Sequence, residues 1–406
     1  MKRPLEDLKV VDLAWVVAGP MVGRVLAEFG ASVIRVESAR RMDVSRGMTP
    51  FSDGKRGVER GATYHNCNVG KLSLSLDLSR PAARDVLRDL VRWGDVLVES
   101  FSAGTMEKWG LGFKELSTIN PSLLMVSSTL MGQTGPYANL AGFGNLGSAM
   151  AGVQNLVGWP ERPPRGPFGP YTDYVGPRFS LLMLLAALDA RRTTGKGCHI
   201  DISQAETGLQ FLAPAITEFF ANGSVLVASG NADHDMAPHG VFRCKDGEAL
   251  CSPWVAIAAQ NDTAWSKLAA LLGREFESDP TLLSLAGRKA AEHRITTAIE
   301  TWTASRTATQ AEKELQQNGV AAHVASSSRD MNADDQLKHR AHWQALPHDE
   351  LGKAWFEASR YTLSETPAVY QRPAPMLGEH NRYVLGEILG YSEAQISTLL
   401  EAEVLT

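Results

Sequence analysis

Leu8-Lys9-Val10-Val11-Asp12-Leu13-Ala14-Trp15-Val16-Val17-Ala18-Gly19-Pro20-Met21-Val22-Gly23-Arg24-Val25-Leu26-Ala27-Glu28-Phe29-Gly30-Ala31-Ser32-Val33-Ile34-Arg35-Val36-Glu37 decides the fold. Leu8 to Leu13 hardly alternates and is bounded by charge, which suits a buried parallel strand. Ala18-Gly19-Pro20 breaks the chain after it. Val22, Val25, Leu26 and Phe29 then fall at helical spacing, and Gly30 ends the helix. Ser32 to Val36 is a second strand, closed by Glu37. A strand–helix–strand unit of ~30 residues belongs to a doubly wound sheet.

Later segments repeat the alternation. Leu72 to Leu78 and Val96 to Val98 read as strands, with a helix from Ala82 to Trp93 between them. Ser100 to Gly104 turns into a helix that starts near Thr105. Leu123 to Ser127 is a strand, followed by the turn-rich Gly132-Gln133-Thr134-Gly135-Pro136. Arg178 to Ala190 reads as a long apolar helix, Cys198 to Ile202 as a strand, and Gln204 to Ala221 as a helix that Pro214 should kink. Strands alternating with helices predict an α/β chain with a parallel sheet covered on both faces. Composition shifts at Gly223. From about Gly240 to Thr303 the chain reads as hairpins followed by helices, a separate smaller domain whose core would hold Trp254, Trp265 and Trp302. The expected division is 1–222 for a large domain, 223–330 for a small one, and 331–406 for a connector and C-terminal segment.

Composition narrows the function classes. The chain has 406 residues, 44% hydrophobic and 21% charged, with a net charge of −5. That is the make-up of an ordinary soluble globular protein and gives no support for nucleic-acid binding. Cys67, Cys198, Cys244 and Cys251 form no CxxC pair, so neither a metal site nor a disulfide framework is indicated; reduced cysteines fit a cytoplasmic protein. Met1-Lys2-Arg3 leads into a stretch interrupted by Glu6, Asp7 and Asp12, unlike a secretory leader. Phe179 to Leu188 is too short to span a bilayer.

The candidate reactive residue is Asp173, in Gly166-Pro167-Phe168-Gly169-Pro170-Tyr171-Thr172-Asp173-Tyr174-Val175-Gly176-Pro177. A carboxylate where a loop enters a helix has two readings. One is a helix cap, since Asp is a favoured N-cap residue. The other is chemistry, because the loop gives access and the helix N-terminus stabilises negative charge. Arg40, Arg41, Asp43 and Arg46 come after the second strand, where arginines either hold phosphates or form a solvated face. A nicotinamide enzyme is the rival reading of the strand–helix–strand unit, because an acidic residue ends the second strand. The turn Val17-Ala18-Gly19-Pro20-Met21-Val22-Gly23 lacks GxGxxG.

Several segments in order resemble family III coenzyme A transferases. They are Asp12-Leu13 through Ala18-Gly19-Pro20, Gly30-Ala31 through Val36-Glu37, Asn66-Cys67-Asn68 to Asp77, Val98-Glu99-Ser100-Phe101, Gly132 to Pro136, Asp173 to Gly176, Ala186-Ala187-Leu188 to Gly197, and Leu377-Gly378-Glu379-His380. Gly158-Trp159-Pro160, Tyr171-Thr172-Asp173, Gly230-Asn231 and Ala237-Pro238-His239-Gly240 look most like the benzylsuccinate CoA-transferase branch. The resemblance implies an α/β fold with a Rossmann-like large domain and a smaller α/β domain, in two chains interlocked like links. The C-terminal segment would return to the large domain. It implies Asp173 as a nucleophile that carries a covalent intermediate, and CoA contacts at Val17, Ala18, Arg41, Leu76, Ser100, Phe101, Thr105, Lys108 and Trp109. Acyl-CoA and an organic acid, possibly a dicarboxylic one, would be the substrates, with no metal and no permanently bound cofactor. The partner would be a second copy or a related subunit.

The chain departs from the formyl-CoA branch in two places. Trp15 and Val17 stand where that branch has His and Gln, so a side-chain amide that could bond the intermediate is missing. Gly230-Asn231-Ala232-Asp233-His234-Asp235 replaces a flexible glycine run. Oxyanion stabilisation is then expected from elsewhere, with backbone N–H groups near Asp173 or Gly144 as candidates. Two other functions remain within the resemblance. One is a non-catalytic subunit of a heteromeric transferase. The other is an acyl-CoA racemase, whose Ala-Gly-His-Asp run is here Ala141-Gly142-Phe143-Gly144, without the histidine base.

Overall fold

The structure is a computed structural model and describes residues 3–406. The chain forms two compact units. The first holds 1–154, 166–226 and 342–406, and the second 155–165 and 227–341. The sequence boundaries at 222 and 330 left 155–165 with the large domain; the structure groups that stretch with 227–341.

The first unit is built on six parallel strands, β1 (Lys9–Asp12), β2 (Ser32–Glu37), β3 (Leu72–Ser75), β4 (Val96–Glu99), β5 (Leu124–Thr129) and β6 (Cys198–Ser203). Their order is β3-β2-β1-β4-β5-β6. Val10 pairs with Val33 on one side and Val96 on the other, so strand order reverses between β1 and β4. In open parallel sheets, ligands bind outside the carboxyl ends of the strands at this reversal.

The strands β1 to β5 are buried on both faces, apart from the first residues of β1 and β2, whereas the edge strand β6 is largely exposed. On one face, Val10, Val33, Val98 and Val126 pack with Val22 and Leu26 of α1 (Ala18–Glu28) and with Leu181 and Leu184. On the other, Val11, Ile34, Leu97 and Met125 pack with Val86, Leu87 and Leu90 of the helix Pro81–Trp93. Ile396, Val404 and Leu405 close this second layer, and the Asp77 N–H donates to the Val404 carbonyl at 3.0 Å. Pro20 is the third residue of α1, where an N–H would have no intrahelical partner. Gly19 lets the helix approach the turn that follows β1, because a Cβ there would lie 2.1 Å from the Ala14 Cβ.

The second unit contains an antiparallel sheet of β7 (His239–Arg243), β8 (Trp254–Ala258) and β9 (Ala321–Val324). Trp265 is buried in its core, and Trp302 packs against the core partly buried. Trp254 corrects the sequence reading: it is 42% exposed. Val255 and Ile257 take the inward face of β8, and strand alternation sends Trp254 to the other. Among the described residues, no helix is long and apolar enough to cross a membrane.

A buried ionic network sits at the carboxyl ends of β1 and β2. The Lys71 ammonium lies 2.6 Å from Asp12 and also donates to the Pro20 carbonyl and Asn68. The Arg35 guanidinium pairs with Asp43 and donates to the Ala14 carbonyl at 2.7 Å. Arg46 pairs with Glu37 at 2.6 Å and lies over the Tyr64 ring at 3.7 Å. Burial alone would push the Glu37 carboxyl up, but Arg35 and Arg46 hold it below the usual carboxylate range. Such buried charges are tolerable when each has an opposite charge beside it.

Candidate active site

The network fixes the turn that leaves β1. Val16 has φ +67°, a left-handed conformation that a β-branched residue rarely adopts. Its N–H donates to both carboxylate oxygens of Asp43 at 3.1 Å. Just before it, the Ala14 N–H donates to Asp12 at 3.0 Å and the Trp15 N–H to the Ser100 hydroxyl at 2.8 Å. Three successive amides are thus held by side chains from three places in the chain. The cost of the strained residue, ~1–3 kcal/mol, is offset by these bonds.

The turn and the loop after β4 form a groove with two connected cavities. The smaller, of about 310 Å³, is lined by Arg41, Leu76, Ser100, Phe101, Thr105 and Trp109 among others. Trp15 meets Phe101 edge-on at 5.9 Å, and Phe101 meets Trp109 at 5.3 Å. The Arg41 guanidinium lies 6.0 Å from the Trp15 ring, and the side chain is exposed. Arg41, Ser100 and Phe101 also line the larger cavity, of about 600 Å³, with Val17, Ala18 and Asp173. Of the ten expected site residues, nine therefore face this groove. Lys108 lines neither cavity; it is exposed at the end of α2 (Thr105–Lys108).

Asp173 is not a cap. The helix α4 (Tyr171–Thr194) begins earlier than Arg178, and its N-cap position is Pro170. Asp173 is its third residue and its backbone N–H donates to the Pro170 carbonyl at 3.0 Å. Pro177 lies inside the helix and has no N–H to give to the Asp173 carbonyl, yet the helix continues through it. Asp173 is buried, with 5% of the residue exposed. Burial raises its pKa from the ordinary Asp value of 3.8 to about 6, against the opposing pull of the Gly144 N–H bonded to it.

That amide comes from α3 (Gly144–Met150), one of two short helices that occupy the small-residue stretch 142–158. Gly144 has no room for a side chain: a Cβ there would lie 2.7 Å from both the Asp173 nitrogen and the Pro170 carbonyl oxygen. Glycine is what lets one helix start against the other.

Sequence reasoning missed four polar residues of this site. Ser128 and Thr129 end β5 and line the larger cavity, as does Gln204, whose amide oxygen lies 3.4 Å from the Thr172 hydroxyl. Their only signal was a polar ending on an apolar strand. Glu99 ends β4; burial raises its pKa to about 7, opposed by bonds from Ser127 and from the Phe101 N–H at 2.7 Å. It pins the loop that carries Ser100 and Phe101.

Comparison with known proteins identifies the chain's relatives. A family model described as CoA-transferase family III matches residues 5–381. A succinyl-CoA–D-citramalate CoA-transferase of Chloroflexus aurantiacus is 32% identical over 99% of this chain and 98% of its own. The beta subunit of a succinyl-CoA–L-malate CoA-transferase from the same organism is also 32% identical, with the same coverage. A solved structure of a CAIB/BAIF family protein from Brucella suis superposes with a TM-score of 0.85 at 31% identity, covering 96% of this chain and 100% of that one.

The Asp173 environment makes a stability prediction independent of turnover. Its folded pKa of about 6 lies above the unfolded value. Asp173's own contribution to stability is therefore full below about pH 4, falls between about pH 4 and 6, where the unfolded chain's carboxyl is ionised and the buried one is still protonated, and is not regained above. Two pKa units correspond to about 3 kcal/mol. Asp173→Asn removes the ionisation, so urea unfolding should show a gain of about 2–3 kcal/mol at pH 7 that vanishes near pH 4. An equal effect at both pH values would contradict the buried-charge account.

Proposed function

The chain belongs to CoA-transferase family III, and on that footing we propose that it moves coenzyme A from an acyl-CoA donor to an organic acid through a covalent intermediate on Asp173. The observation that carries this reading is one groove holding both a buried carboxylate and all the residues expected to bind CoA except Lys108. The relatives act on succinyl-CoA and hydroxylated dicarboxylic acids by name, which supports succinyl-CoA as donor and a dicarboxylic acid, benzylsuccinate among them, as acceptor.

The steps derive from the residue. The Asp173 carboxylate attacks the thioester carbonyl; the C–S bond breaks, CoA leaves as the thiolate, and a mixed anhydride remains on Asp173. The thiolate then attacks the Asp173 carbonyl of that anhydride, releasing the donor acid and leaving an aspartyl-CoA thioester. The acceptor carboxylate attacks this thioester, expelling thiolate and forming a second anhydride. Thiolate attack on the acceptor's carbonyl releases the new acyl-CoA and restores Asp173. A carboxylate with pKa about 6 is mostly ionised at pH 7 and more nucleophilic than an ordinary aspartate. The Gly144 N–H, already directed at the carboxylate, is the donor we assign to the charge that builds on oxygen, in place of the amide absent at Val17. CoA would lie along Trp15, Phe101 and Trp109, with Arg41 available to its phosphates.

We further infer an interlocked, Rossmann-like homodimer, or a heteromer with a related subunit, acting in the cytoplasm. Leu182, Met183 and Leu185 of α4, and Phe219 and Phe220 of the helix Ala213–Asn222, are exposed. Apolar faces of this extent mark interaction surfaces. Dilution to nanomolar concentration followed by mass photometry should still show a dimer; a folded, active monomer would contradict the interlocked reading.

Replacing the nucleophile gives the second test. Asp173→Ala should abolish CoA transfer across a panel of acyl-CoAs and acids while CoA binding, measured by calorimetry, stays near wild type. Residual transfer within about tenfold of wild type, ~1.4 kcal/mol of barrier, would contradict the role.

A further inference from the structure

One side chain in the larger cavity has no role in the transfer steps derived above. Gln204, the first residue after β6, is 7% exposed and lines the cavity that contains Asp173. Its stem packs along α4: a Cβ at Gly176 would lie 3.4 Å from Gln204 Cγ. Its amide oxygen lies 3.4 Å from the Thr172 hydroxyl. Thr172 and Gly176 stand one helical turn apart, and Asp173 lies on the same face between them. The Gln204 amide is therefore laid beside the reactive carboxylate.

The hydrogen-bond pattern orients that amide. The Thr172 hydroxyl has one proton, with the Gly144 carbonyl at 3.2 Å and Gln204 Oε1 at 3.4 Å as its acceptors. Gly144 opens α3, so its carbonyl has a helical N–H partner four residues on and does not need the hydroxyl. The proton is then free for Gln204 Oε1, which turns the NH2 group away from Thr172. Nothing among the described residues accepts from Gln204 Nε2, and the atom is not sealed off, in contrast to the hydroxyl oxygens of Ser128 and Thr129. Asp173 takes no bond from it either: the donor directed at that carboxylate is the Gly144 N–H. A primary amide with unused N–H groups on a cavity suits an oxygen of the ligand that fills it.

We propose that Gln204 is a catalytic residue whose Nε2–H stabilises the oxyanion formed on the substrate's acyl oxygen, and that Thr172 is the positioning residue that holds it. The inference rests on the CoA-transfer reading and deepens it. When an Asp173 oxygen attacks the thioester carbon, the carbonyl π pair moves to the acyl oxygen, where Nε2–H meets it. The pair returns as the C–S bond breaks and CoA leaves as thiolate. The Gly144 N–H serves the other centre, because thiolate attack on the Asp173 carbonyl places charge on the oxygen of that carboxylate. Two donors then divide between two reacting carbonyls, and neither has to move.

The test uses the intact chain with succinyl-CoA, or with the acyl-CoA of a panel that the wild type turns over fastest. Rapid quench and mass spectrometry give the rate at which Asp173 is modified. Hydroxylamine gives the rate at which the modified residue is cleared, an attack on the Asp173 carbonyl. Gln204→Met keeps the length of the side chain and removes the donor. It should slow modification of Asp173 by about 100-fold, the usual effect of losing one oxyanion donor. CoA affinity should stay within about twofold of wild type, and clearance by hydroxylamine within about threefold. Thr172→Val should slow modification by about tenfold and Thr172→Ser should restore it, because only the hydroxyl is needed. Slowing of less than about tenfold in Gln204→Met overturns the proposal. Equal slowing of modification and clearance also overturns it, since that is the mark of a distorted site, which thermal melts would register. Failure of the underlying reading looks different: wild-type Asp173 would stay unmodified with every acyl-CoA of the panel.

Discussion

The Asp43 carboxylate is the constraint on which the site depends. It is held by the Arg35 guanidinium and accepts the N–H groups of Val16 and Ser45. Val16 would not remain left-handed without such a hold, since a valine at φ +67° meets its own backbone. With Val16 fixed, Trp15 is turned toward Phe101 and Arg41, and Val17 and Ala18 open the helix beside the larger cavity. Asp12, Lys71, Glu37 and Arg46 extend the same network, so the strand ends at the topological reversal form a rigid ionic frame. Breaking one member leaves a buried charge without its partner, which is why such networks hold geometry more firmly than single surface pairs.

The opposite wall relies on close packing instead of charge. Gly144 brings the start of one helix against the start of another, and the amide exposed there meets the Asp173 carboxylate. Burial makes that carboxylate basic and the single amide keeps it ionisable. The two effects oppose each other, and the pKa of about 6 records the balance. More donors would make the carboxylate less basic, and fewer would make it harder to ionise. The site thus keeps a destabilising group where chemistry needs it, a common feature of functional sites.

The strand–helix–strand opening was legible because both sheet faces are buried and the apolar runs have the right lengths. Asp173 was found by its setting, although its neighbours misled: Pro177 reads as a helix breaker, so the helix was placed to start at Arg178 and not at Tyr171. The left-handed Val16 carries no sequence signal, because its conformation is imposed by Asp43, 27 residues away. Ser128 and Thr129 were missed for a related reason. A serine at a strand end is ordinary, and only three-dimensional packing shows that its hydroxyl lacks a partner. Trp254 was misplaced because an aromatic residue signals packing without saying which face of the strand it takes.

The most direct test of the account asks whether Asp173 becomes acylated. With acyl-CoA present, hydroxylamine should convert an anhydride or thioester at Asp173 to a hydroxamate, and borohydride should reduce the thioester to the alcohol. Mass spectrometry of the peptide containing Asp173 should show these changes only when acyl-CoA is supplied. An unmodified Asp173 in a preparation shown to be turning over would contradict the covalent mechanism, and modification of another carboxylate would contradict the assignment of the nucleophile.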